Sequence, residues 1–331
     1  MRTVTVVGAS LAGLRSVEQL RAQGYDGRVI VIGEESHRPY DRPPLSKAFL
    51  LGTSSAEDLA LIDPAHENDL DAQWHLGVRA ERLDTGTGGI SLSDGTEIAT
   101  DAVVVATGGR PRTLPGCGDL DGVYTLRTVE DASALRAELT KGASRVVVVG
   151  AGWIGAEVAS TCHDLGLHVT IVESMRAPLA AALGADMAAV CTALHSDHGV
   201  ALRSGTGVRA FTSVGHRDRR RVTGVELADG TTIPADVVVV GVGMRPDTEW
   251  LTGSGIDVDN GVLCDAGCVT GVPRVVAVGD VARYRNHDGA LVRHEHWTNA
   301  AEQPTTAIRN LLAGATIERY RPSGYVWSDQ Y

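Results

Sequence analysis

The chain has 331 residues, of which 43% are hydrophobic and 21% are charged, and its formal net charge is −11. This length allows two or three domains, each with its own hydrophobic core. The negative charge argues against nucleic acid as a partner, because phosphate binding rests on clustered Lys and Arg side chains. No apolar run approaches the roughly 20 residues that span a bilayer.

The N-terminus and the cysteines give two expectations about the cellular setting. Met1 leads into a strand-like segment and lacks the basic start, the apolar stretch and the cleavage site of a signal peptide, so we expect a cytoplasmic protein. The cysteines form no C-x-x-C pair, so neither a zinc site nor a disulfide framework is favoured, and no metal is predicted. They are Cys117, Cys162, Cys191, Cys264 and Cys268.

The first predicted unit begins at the N-terminus. Residues 4–7 are typical of a β-strand, and a glycine-rich turn follows over residues 8–13. A helix is predicted to about Gln23, and a second strand over residues 28–33 ends in Glu34. Ser10 occupies the second glycine position of a G-x-G-x-x-G turn, where a small side chain still allows a phosphate to approach.

Two further apolar runs, residues 101–106 and 236–241, are typical of buried strands. Each follows a predicted hairpin turn, Asp94-Gly95 before the first and Asp229-Gly230 before the second. The charge-dense segment 217–221 is predicted to form a solvated hairpin loop.

The strand–turn–helix–strand order recurs from residue 145. A strand over residues 145–149 leads into a turn from Gly150 to Gly155 with all three glycines present. A helix to about Leu165 and a strand ending in Glu173 follow. Continuous apolar strands of this kind suit a parallel sheet that is covered on both faces. The repeat predicts an α/β fold with two Rossmann-like dinucleotide-binding domains.

Turns of this spacing bind dinucleotides for a physical reason. The first glycine permits the tight turn, the second lets the backbone approach a pyrophosphate, and the third lets helix and strand pack closely. The anion then lies against N–H groups at the helix N-terminus. Two turns predict two dinucleotides, and FAD with a nicotinamide makes chemical sense. Glu173 would repel a 2′-phosphate, which favours NADH over NADPH, although the nearby Arg176 would weaken that preference.

The segment Arg38-Pro39-Tyr40-Asp41-Arg42-Pro43-Pro44-Leu45-Ser46-Lys47 carries a resemblance to a known family. It resembles the flavin-side loop of ferredoxin reductases that serve Rieske-type oxygenases and bacterial haem monooxygenases, the group of putidaredoxin and rubredoxin reductases. Segments similar to other motifs of that family follow in the same order, at residues 106–111, 126–128, 241–246, 278–281 and 297–303. The resemblance covers the whole chain and implies the glutathione-reductase type of fold, with three-layer ββα domains.

The resemblance also implies a set of site residues. Lys47, near the isoalloxazine, and Glu157, near the nicotinamide carboxamide, are implied to be catalytic. A simpler role remains open for Glu157, which would complement the positive end of its helix dipole. The residues implied to bind FAD are Gly8, Ser10, Ala12, Gly13, Glu34, Arg42, Lys47, Ala80, Ala106, Thr107, Gly108, Arg127, Gly279, Asp280 and Trp297. Those expected to bind NAD are Gly150, Gly152, Ile154, Gly155, Glu157, Glu173 and Gly243.

Domain boundaries follow from the same resemblance. An FAD-binding domain is expected over residues 1–110 and 241–318, and an NAD(H)-binding domain over residues 111–240. Residues 319–331 resemble the start of a C-terminal α+β interface domain, which is expected to be truncated here. The chain departs from the family pattern at His294 and His296. Two alternating histidines offer too few ligands for a metal, so a strand beside the flavin is predicted there.

The implied activity is NADH-dependent ferredoxin reduction. Hydride would pass from NADH to FAD, and single electrons would pass to an iron–sulfur ferredoxin that feeds a monooxygenase or Rieske dioxygenase. We expect the ferredoxin to dock on Arg283, Arg285 and Arg293, because ferredoxins are usually acidic.

Two alternatives remain, because the fold does not settle function. They are a reductase of quinones or small acceptors, and a redox-sensing protein that binds FAD and NADH but turns over slowly. The loop from Glu35 to Lys47 contains no cysteine. That opposes a disulfide reductase and a cysteine-dependent NADH oxidase or peroxidase.

Overall fold

The computed structural model describes residues 1–63, 65–216 and 219–331. Arg217 and Asp218, which belong to the predicted charged hairpin loop, lie outside the described residues. The α-helices are α1 (Leu11–Ala22), α2 (Ala48–Leu51), α3 (Val129–Leu139), α4 (Trp153–Asp164), α5 (Ala180–Leu183), α6 (Ala185–Asp197) and α7 (Trp297–Ala313). The β-strands are β1 (Thr3–Val7), β2 (Arg28–Gly33), β3 (Ala72–Leu76), β4 (Ala80–Asp84), β5 (Gly89–Leu92), β6 (Glu97–Ala99), β7 (Ala102–Val105), β8 (Gly109–Pro111), β9 (Val123–Tyr124), β10 (Arg145–Val149), β11 (His168–Glu173), β12 (Ala201–Ser204), β13 (Val208–His216), β14 (Arg219–Leu227), β15 (Thr232–Pro234), β16 (Val237–Val240), β17 (Met244–Pro246), β18 (Val262–Cys264), β19 (Val275–Ala277), β20 (Ala282–Arg285) and β21 (Leu291–Val292).

The chain forms two compact units. The first unit contains Met1–Asp41, Ala60–Arg110 and Arg245–Val326. The second unit contains Arg42–Leu59, Pro111–Met244 and Trp327–Tyr331. The segment Arg42–Leu59 therefore groups with the second unit, although the boundary predicted from the sequence placed all of residues 1–110 in one domain.

Apolar packing explains why Arg42–Leu59 belongs to the second unit. Leu50 is fully buried and lies in the same hydrophobic cluster as Leu135 of α3 and Val158 of α4. The guanidinium of Arg136 lies 5.8 Å from the ring centroid of Phe49. A boundary drawn from chain continuity cannot anticipate such contacts, because they join residues far apart in sequence.

A five-stranded parallel sheet in the order β19-β7-β1-β2-β3 forms the centre of the first unit. β1 lies between β2 and β7, with Val4 opposite Val29 on one side and Ala102 on the other. α1 connects β1 to β2, so the predicted strand–turn–helix–strand unit is confirmed. The predicted strand over residues 101–106 is confirmed as β7.

The second unit contains a parallel sheet of the same design, in the order β12-β11-β10-β16-β9. β10 lies between β11 and β16, with Val146 opposite Val169 and Val237. In each sheet, the strand before the glycine turn is flanked by the strand after the helix and by a later return strand. The predicted α/β fold with two Rossmann-like units is confirmed.

Successive residues of β10 face different layers of the second unit. Val148 packs in a cluster with Val158 of α4, whereas Val147 packs with Val225 of β14. This alternation follows from strand geometry, since neighbouring side chains point to opposite faces of a sheet. The parallel sheet therefore lies between a helical layer and the antiparallel sheet β13-β14-β15. These are the three layers predicted.

The first unit has a comparable core. Its main hydrophobic cluster combines Val104 of β7, Ile90 of β5 and Ile308 of α7. β5 and β6 pair in antiparallel fashion, as do β14 and β15, which confirms both predicted hairpin turns. Among the described residues, the helices are all too short or too polar to cross a membrane.

Candidate active site

The first glycine turn joins β1 to α1. Gly8 has φ +118, and a side chain there would place Cβ 2.1 Å from the carbonyl oxygen of Ala106. A Cβ on Gly13 would lie 1.8 Å from the carbonyl oxygen of Gly8. Only glycine fits these two positions, because real atoms do not approach so closely, and at Gly8 the positive φ also disfavours an L residue. The structure thus brings Gly8, Gly13 and Ala106 together as predicted site residues.

A later glycine approaches the start of α1. Gly279 has φ +72, and a Cβ there would lie 2.9 Å from the Cβ of Ala12. Its N–H donates to Oε1 of Gln303 at 2.7 Å, and Gln303 is fully buried in α7. Ala12 and Gly279 are therefore neighbours, although 267 positions separate them in the sequence.

The start of α1 is suited to an anion. Ser10 is the N-cap residue, but its side chain makes no capping hydrogen bond and no acidic residue lies in the first turn. The contrast is α3, where Thr128 and Asp131 form a complete capping box. The first N–H groups of an α-helix have no partner within the helix. An uncapped N-terminus above a glycine turn offers them to a phosphate.

Glu34, one of the residues implied to bind FAD, is half-exposed and ion-paired with Arg110. Arg110 also lies 3.0 Å from a carboxylate oxygen of Asp247. The hydroxyl of Thr107 donates to the carbonyl oxygen of Asp247 at 2.7 Å, and the carbonyl oxygen of Gly108 accepts from the Asp247 N–H at 3.1 Å. Asp247 therefore contacts both Thr107 and Gly108, which follow β7, and Arg110, the ion-pair partner of Glu34.

Two other predicted FAD residues of the first unit have backbone or packing roles in the structure. The carbonyl oxygen of Asp280 accepts from Arg293 at 3.1 Å. Ala80 begins β4 and is buried in the main hydrophobic cluster. A ligand could therefore contact only the backbone of Ala80.

The N-terminal turn of α7 holds unsatisfied polar atoms. Nε1 of Trp297 donates to Oδ1 of Asp41 at 2.7 Å, which fixes the indole ring. The side-chain oxygens of Thr298 and Asn299 are buried and have no hydrogen-bond partner among the described residues. Buried polar atoms are normally paired, so this end of α7 fits a polar ligand.

The strand predicted over residues 293–296 is wrong. β21 ends at Val292, and His296 is instead the N-cap residue of α7. Its Nδ1 accepts from the N–H of Thr298 at 3.3 Å. His294 lies 2.9 Å from the hydroxyl of Tyr284 through Nδ1, and burial lowers the pKa of its imidazole. The imidazole therefore takes the capping role that a small polar side chain usually has.

The second glycine turn repeats the geometry of the first. A Cβ on Gly150, which has φ +105, would lie 2.3 Å from the carbonyl oxygen of Gly241. A Cβ on Gly155 would lie 2.0 Å from the carbonyl oxygen of Gly150. Gly152 faces open space and is the N-cap residue of α4, with no side chain to cap the helix. Ile154 is 46% exposed, which leaves an apolar surface at the same helix end.

Glu173 is buried at the end of β11 and accepts three hydrogen bonds. Oε2 accepts from the N–H of Ala151 at 2.9 Å, inside the glycine turn. Oε1 accepts from the N–H of Met175 at 2.8 Å and from the hydroxyl of Ser174 at 3.2 Å. A carboxylate has about four acceptor positions, so Glu173 keeps capacity for a ribose hydroxyl while it holds the turn. Gly243, the remaining predicted NAD residue, accepts from the N–H of Arg112 at 2.9 Å.

Lys47 and Glu157 form a direct ion pair within the second unit. Nζ of Lys47 lies 2.9 Å from Oε2 of Glu157, whose side chain is only 5% exposed. The hydroxyl of Ser46 donates to the same oxygen at 2.5 Å. Two prolines begin the 3₁₀ turn Pro43–Ser46, and their fixed φ angles make this segment rigid. The ammonium and the hydroxyl compensate a carboxylate that would otherwise be costly to bury.

Arg42 and Arg127, both implied to contact FAD, also lie in the second unit. The guanidinium of Arg42 donates to the carbonyl oxygen of Arg127. The N–H of Arg127 donates to the carboxylate of Asp131 at 2.9 Å, just before α3. The structure therefore brings these two arginines together.

Sequence reasoning missed four side chains that organise these clusters. Ser46 and Asp41 lie inside the quoted loop motif, so their position was a usable signal. The contacts of Asp247 with Arg110 and of Ser328 with Glu157 had no sequence signal, because only the folded chain brings these residues together. Ser328 donates to Oε1 of Glu157 at 2.9 Å.

The arginines proposed for ferredoxin docking are mostly paired within the first unit. Arg283 forms an ion pair with Asp259, and Arg293 lies 2.5 Å from a carboxylate oxygen of Glu295. Arg285 donates to the carbonyl oxygen of Gly289 at 3.0 Å. The carboxylates reduce the net positive charge around Arg283 and Arg293.

The buried cysteines are poor nucleophiles. Burial raises the pKa of the Cys264 thiol to about 12 and that of Cys162 to about 12. It raises the pKa of Cys268 well above its ordinary value. Catalytic disulfide chemistry requires a thiolate, so these residues do not provide it. Among the described residues, no group of three His, Cys, Asp or Glu side chains is arranged to hold a metal ion.

Comparison with known proteins identifies the class. The family model described as pyridine nucleotide-disulphide oxidoreductase matches residues 2–304, and the chain belongs to this family. Putidaredoxin reductase of Pseudomonas putida is 36% identical over 99% of this chain and 78% of its own length. The ferredoxin–NAD+ reductase component of the anthranilate 1,2-dioxygenase system of Burkholderia cepacia is 38% identical over 98% of this chain and 79% of its own length.

A solved structure agrees with these relatives. The reductase in the covalent putidaredoxin reductase–putidaredoxin complex matches with a TM-score of 0.93 and 36% identity, over 100% of this chain and 79% of that chain. The resemblance predicted from the loop motif, to ferredoxin reductases of the putidaredoxin reductase type, is confirmed.

Proposed function

We propose that this chain is an NADH-dependent ferredoxin reductase that uses FAD. The observation that carries the proposal is the buried Lys47–Glu157 pair, which lies in the same unit as the complete glycine turn from Gly150 to Gly155. Relatives named as ferredoxin–NAD+ reductases support the same activity.

The residues of the first unit fit FAD. The uncapped start of α1 offers N–H groups to a pyrophosphate, and glycine at positions 8 and 13 lets the backbone come close. The buried unpaired oxygens of Thr298 and Asn299 offer acceptors to a polar ring edge. When bound, FAD would supply the chemistry that links a two-electron hydride donor to a one-electron acceptor. We assign FAD to the first unit.

We assign NADH to the second unit. Its pyrophosphate would lie against the start of α4, with Glu173 at the adenosine ribose. The side chains of Lys47 and Glu157 would orient the nicotinamide end. A carboxylate at position 173 disfavours a 2′-phosphate, and this supports NADH over NADPH.

Glu173→Gln is expected to weaken the preference for NADH. The amide oxygen keeps one acceptor for the Ala151 N–H, whereas the charge that repels a 2′-phosphate is removed. We expect the ratio of kcat/KM for NADPH to that for NADH to rise about tenfold, since relief of about 1.4 kcal/mol of charge repulsion corresponds to that factor. Steady-state kinetics with both nucleotides measure this. An unchanged ratio would mean that Glu173 does not set the preference.

The proposed partner is a small iron–sulfur ferredoxin, and the proposed location is the cytoplasm. Solved relatives include putidaredoxin reductase bound to putidaredoxin. Of the three arginines considered for docking, Arg285 keeps the most available charge, because its contact is to a carbonyl oxygen rather than to a carboxylate. The docking proposal therefore centres on Arg285.

NADH-dependent cytochrome c reduction, with and without an added two-iron ferredoxin, tests the proposed function. A large rise in rate on adding ferredoxin is expected, and Arg285→Ala should raise the ferredoxin concentration needed for half the effect. Fast NADH oxidation whose rate does not change when ferredoxin is added would favour a reductase of quinones or small acceptors. Very slow oxidation under both conditions would favour the redox-sensing alternative.

A further inference from the structure

Both oxygens of the Glu157 carboxylate accept hydrogen bonds. Ser46 and Lys47 both donate to Oε2, at 2.5 and 2.9 Å. Oε1 accepts from the hydroxyl of Ser328 at 2.9 Å. The terminal torsion of a glutamate side chain is broad and roughly two-fold. Donors on one oxygen alone would leave the carboxylate plane free to swing, whereas a donor on the second oxygen fixes it.

The hydroxyl of Ser328 is itself oriented. Nε2 of Gln330 donates to Oγ of Ser328 at 3.0 Å. Because this contact uses an oxygen lone pair, the hydroxyl hydrogen is directed to Glu157. Hydrogen bonds to a charged acceptor are stronger than neutral ones, and chains of hydrogen bonds reinforce each other.

The segment that carries Ser328 is attached along α4. The N–H of Tyr331 donates to Oγ of Ser160 at 2.6 Å, three residues after Glu157 and on the same face of the helix. The ring of Tyr331 stacks on His198 with centroids 4.2 Å apart, and its hydroxyl lies 2.6 Å from Nδ1 of His195. Contacts to α4, to α6 and to the residue after α6 therefore hold the backbone of Ser328 in place.

We propose that Ser328 is a positioning residue for hydride transfer, acting through Glu157. It sets the plane of the Glu157 carboxylate, and thereby the direction in which Glu157 and Lys47 present themselves to the nicotinamide end of NADH. This inference rests on the proposed function. It adds a residue from the far end of the chain to a site whose other members lie in the flavin-side loop and the nucleotide-binding helix.

The expected consequence is a loss of rate without a matching loss of affinity. We expect most of the affinity for NADH to come from its adenosine diphosphate half, held at the glycine turn. Misorientation at the reacting end lowers the rate, because hydride transfer depends on near-attack geometry. For Ser328→Ala we expect the rate of NADH oxidation in a single turnover to fall about tenfold and the Kd for NAD+ to change less than about twofold.

Three variants of the full chain test this, with FAD bound: Ser328→Ala, Ser328→Thr and Asp329→Asn. Ser328→Thr keeps the hydroxyl and is expected to restore most of the rate. Asp329 is the exposed neighbour in the same segment, so its variant is the control and should behave as wild type. Stopped-flow NADH oxidation gives the rate, isothermal titration calorimetry gives the affinity for NAD+, and thermal unfolding reports on stability.

Each outcome either supports the positioning role of Ser328 or contradicts it. A slow Ser328→Ala variant with normal NAD+ affinity and normal thermal unfolding, rescued by threonine, supports the inference. A wild-type rate in Ser328→Ala overturns it, and so does an equal loss in the threonine variant. A loss that follows lowered NAD+ affinity or stability assigns Ser328 a structural role only. If wild type binds NAD+ but oxidises no NADH, the proposed function itself fails and the inference with it.

Discussion

Replacing Glu157 with alanine is expected to slow NADH oxidation by about a hundredfold, because a misplaced reacting group costs this much even when binding persists. The change removes the acceptor shared by Ser46, Lys47 and Ser328. The Lys47 side chain is 20% exposed, so it can turn towards water. The free energy of unfolding should therefore fall by only about 1–3 kcal/mol. Stopped-flow kinetics and urea unfolding measure the two effects, and the absorption spectrum checks that FAD remains bound.

Glu226→Ala is the matched control for Glu157→Ala. Glu226 lies 3.2 Å from Arg209 in a partly exposed ion pair of the same unit, where the side chains of Arg209 and Glu226 are 68% and 33% exposed. Surface pairs of this kind contribute about 0–1 kcal/mol, so both stability and NADH oxidation should stay near the wild-type values. Equal rates in Glu157→Ala and wild type would contradict the proposed role of Glu157 and leave it as a charge that complements the helix dipole.

Replacing Gly150 with alanine is expected to remove most NADH binding and to destabilise the second unit. The added Cβ would lie 2.3 Å from the carbonyl oxygen of Gly241, and φ at this position is +105. Strain from the positive φ adds to the clash, and together they should cost about 3 kcal/mol or more. The turn must shift, so the N–H groups at the start of α4 lose their common direction. We expect NAD+ affinity by calorimetry to fall at least about tenfold, since 1.4 kcal/mol corresponds to that factor.

Gly142→Ala separates backbone strain from the clash. Gly142 has φ +104, almost the same as Gly150, but a Cβ there would have no heavy atom within 4 Å. Its variant should lose about 1–2 kcal/mol from strain alone and keep its affinity for NAD+. If both variants lost stability and affinity equally, the close approach of Gly150 to Gly241 would not be what shapes the site.

The sequence was informative about the glycine turns because their signals are local. The bounds of β10 and β11 agree with the predicted strands, since unbroken runs of Val and Ile mark buried parallel strands. Gly150 and Gly155 were recognisable because the close contacts between strand, turn and helix exclude any side chain. The family resemblance supplied Lys47 and Glu157, which no periodicity would have paired.

The errors and omissions concern long-range contacts. His296 alternates with His294 as strand residues would, yet its Nδ1 accepts from the N–H of Thr298 and makes it the N-cap residue of α7. Arg283 and Arg293 read as free positive charges in the sequence, whereas the structure pairs each with a carboxylate. Such partners lie in other loops or depend on a local turn, so composition cannot reveal them.

The sequence by itself determined the two strand–turn–helix units, because apolar runs and glycine spacing act over a few neighbouring residues. Only the tertiary structure decided which side chains surround Glu157. Lys47 lies 110 positions from it and Ser328 lies 171 positions from it. Burial of Leu50 with Val158 places the loop that carries Lys47 against α4. The packing free energy of the whole second unit determines these long-range contacts, and no local sequence pattern encodes that sum.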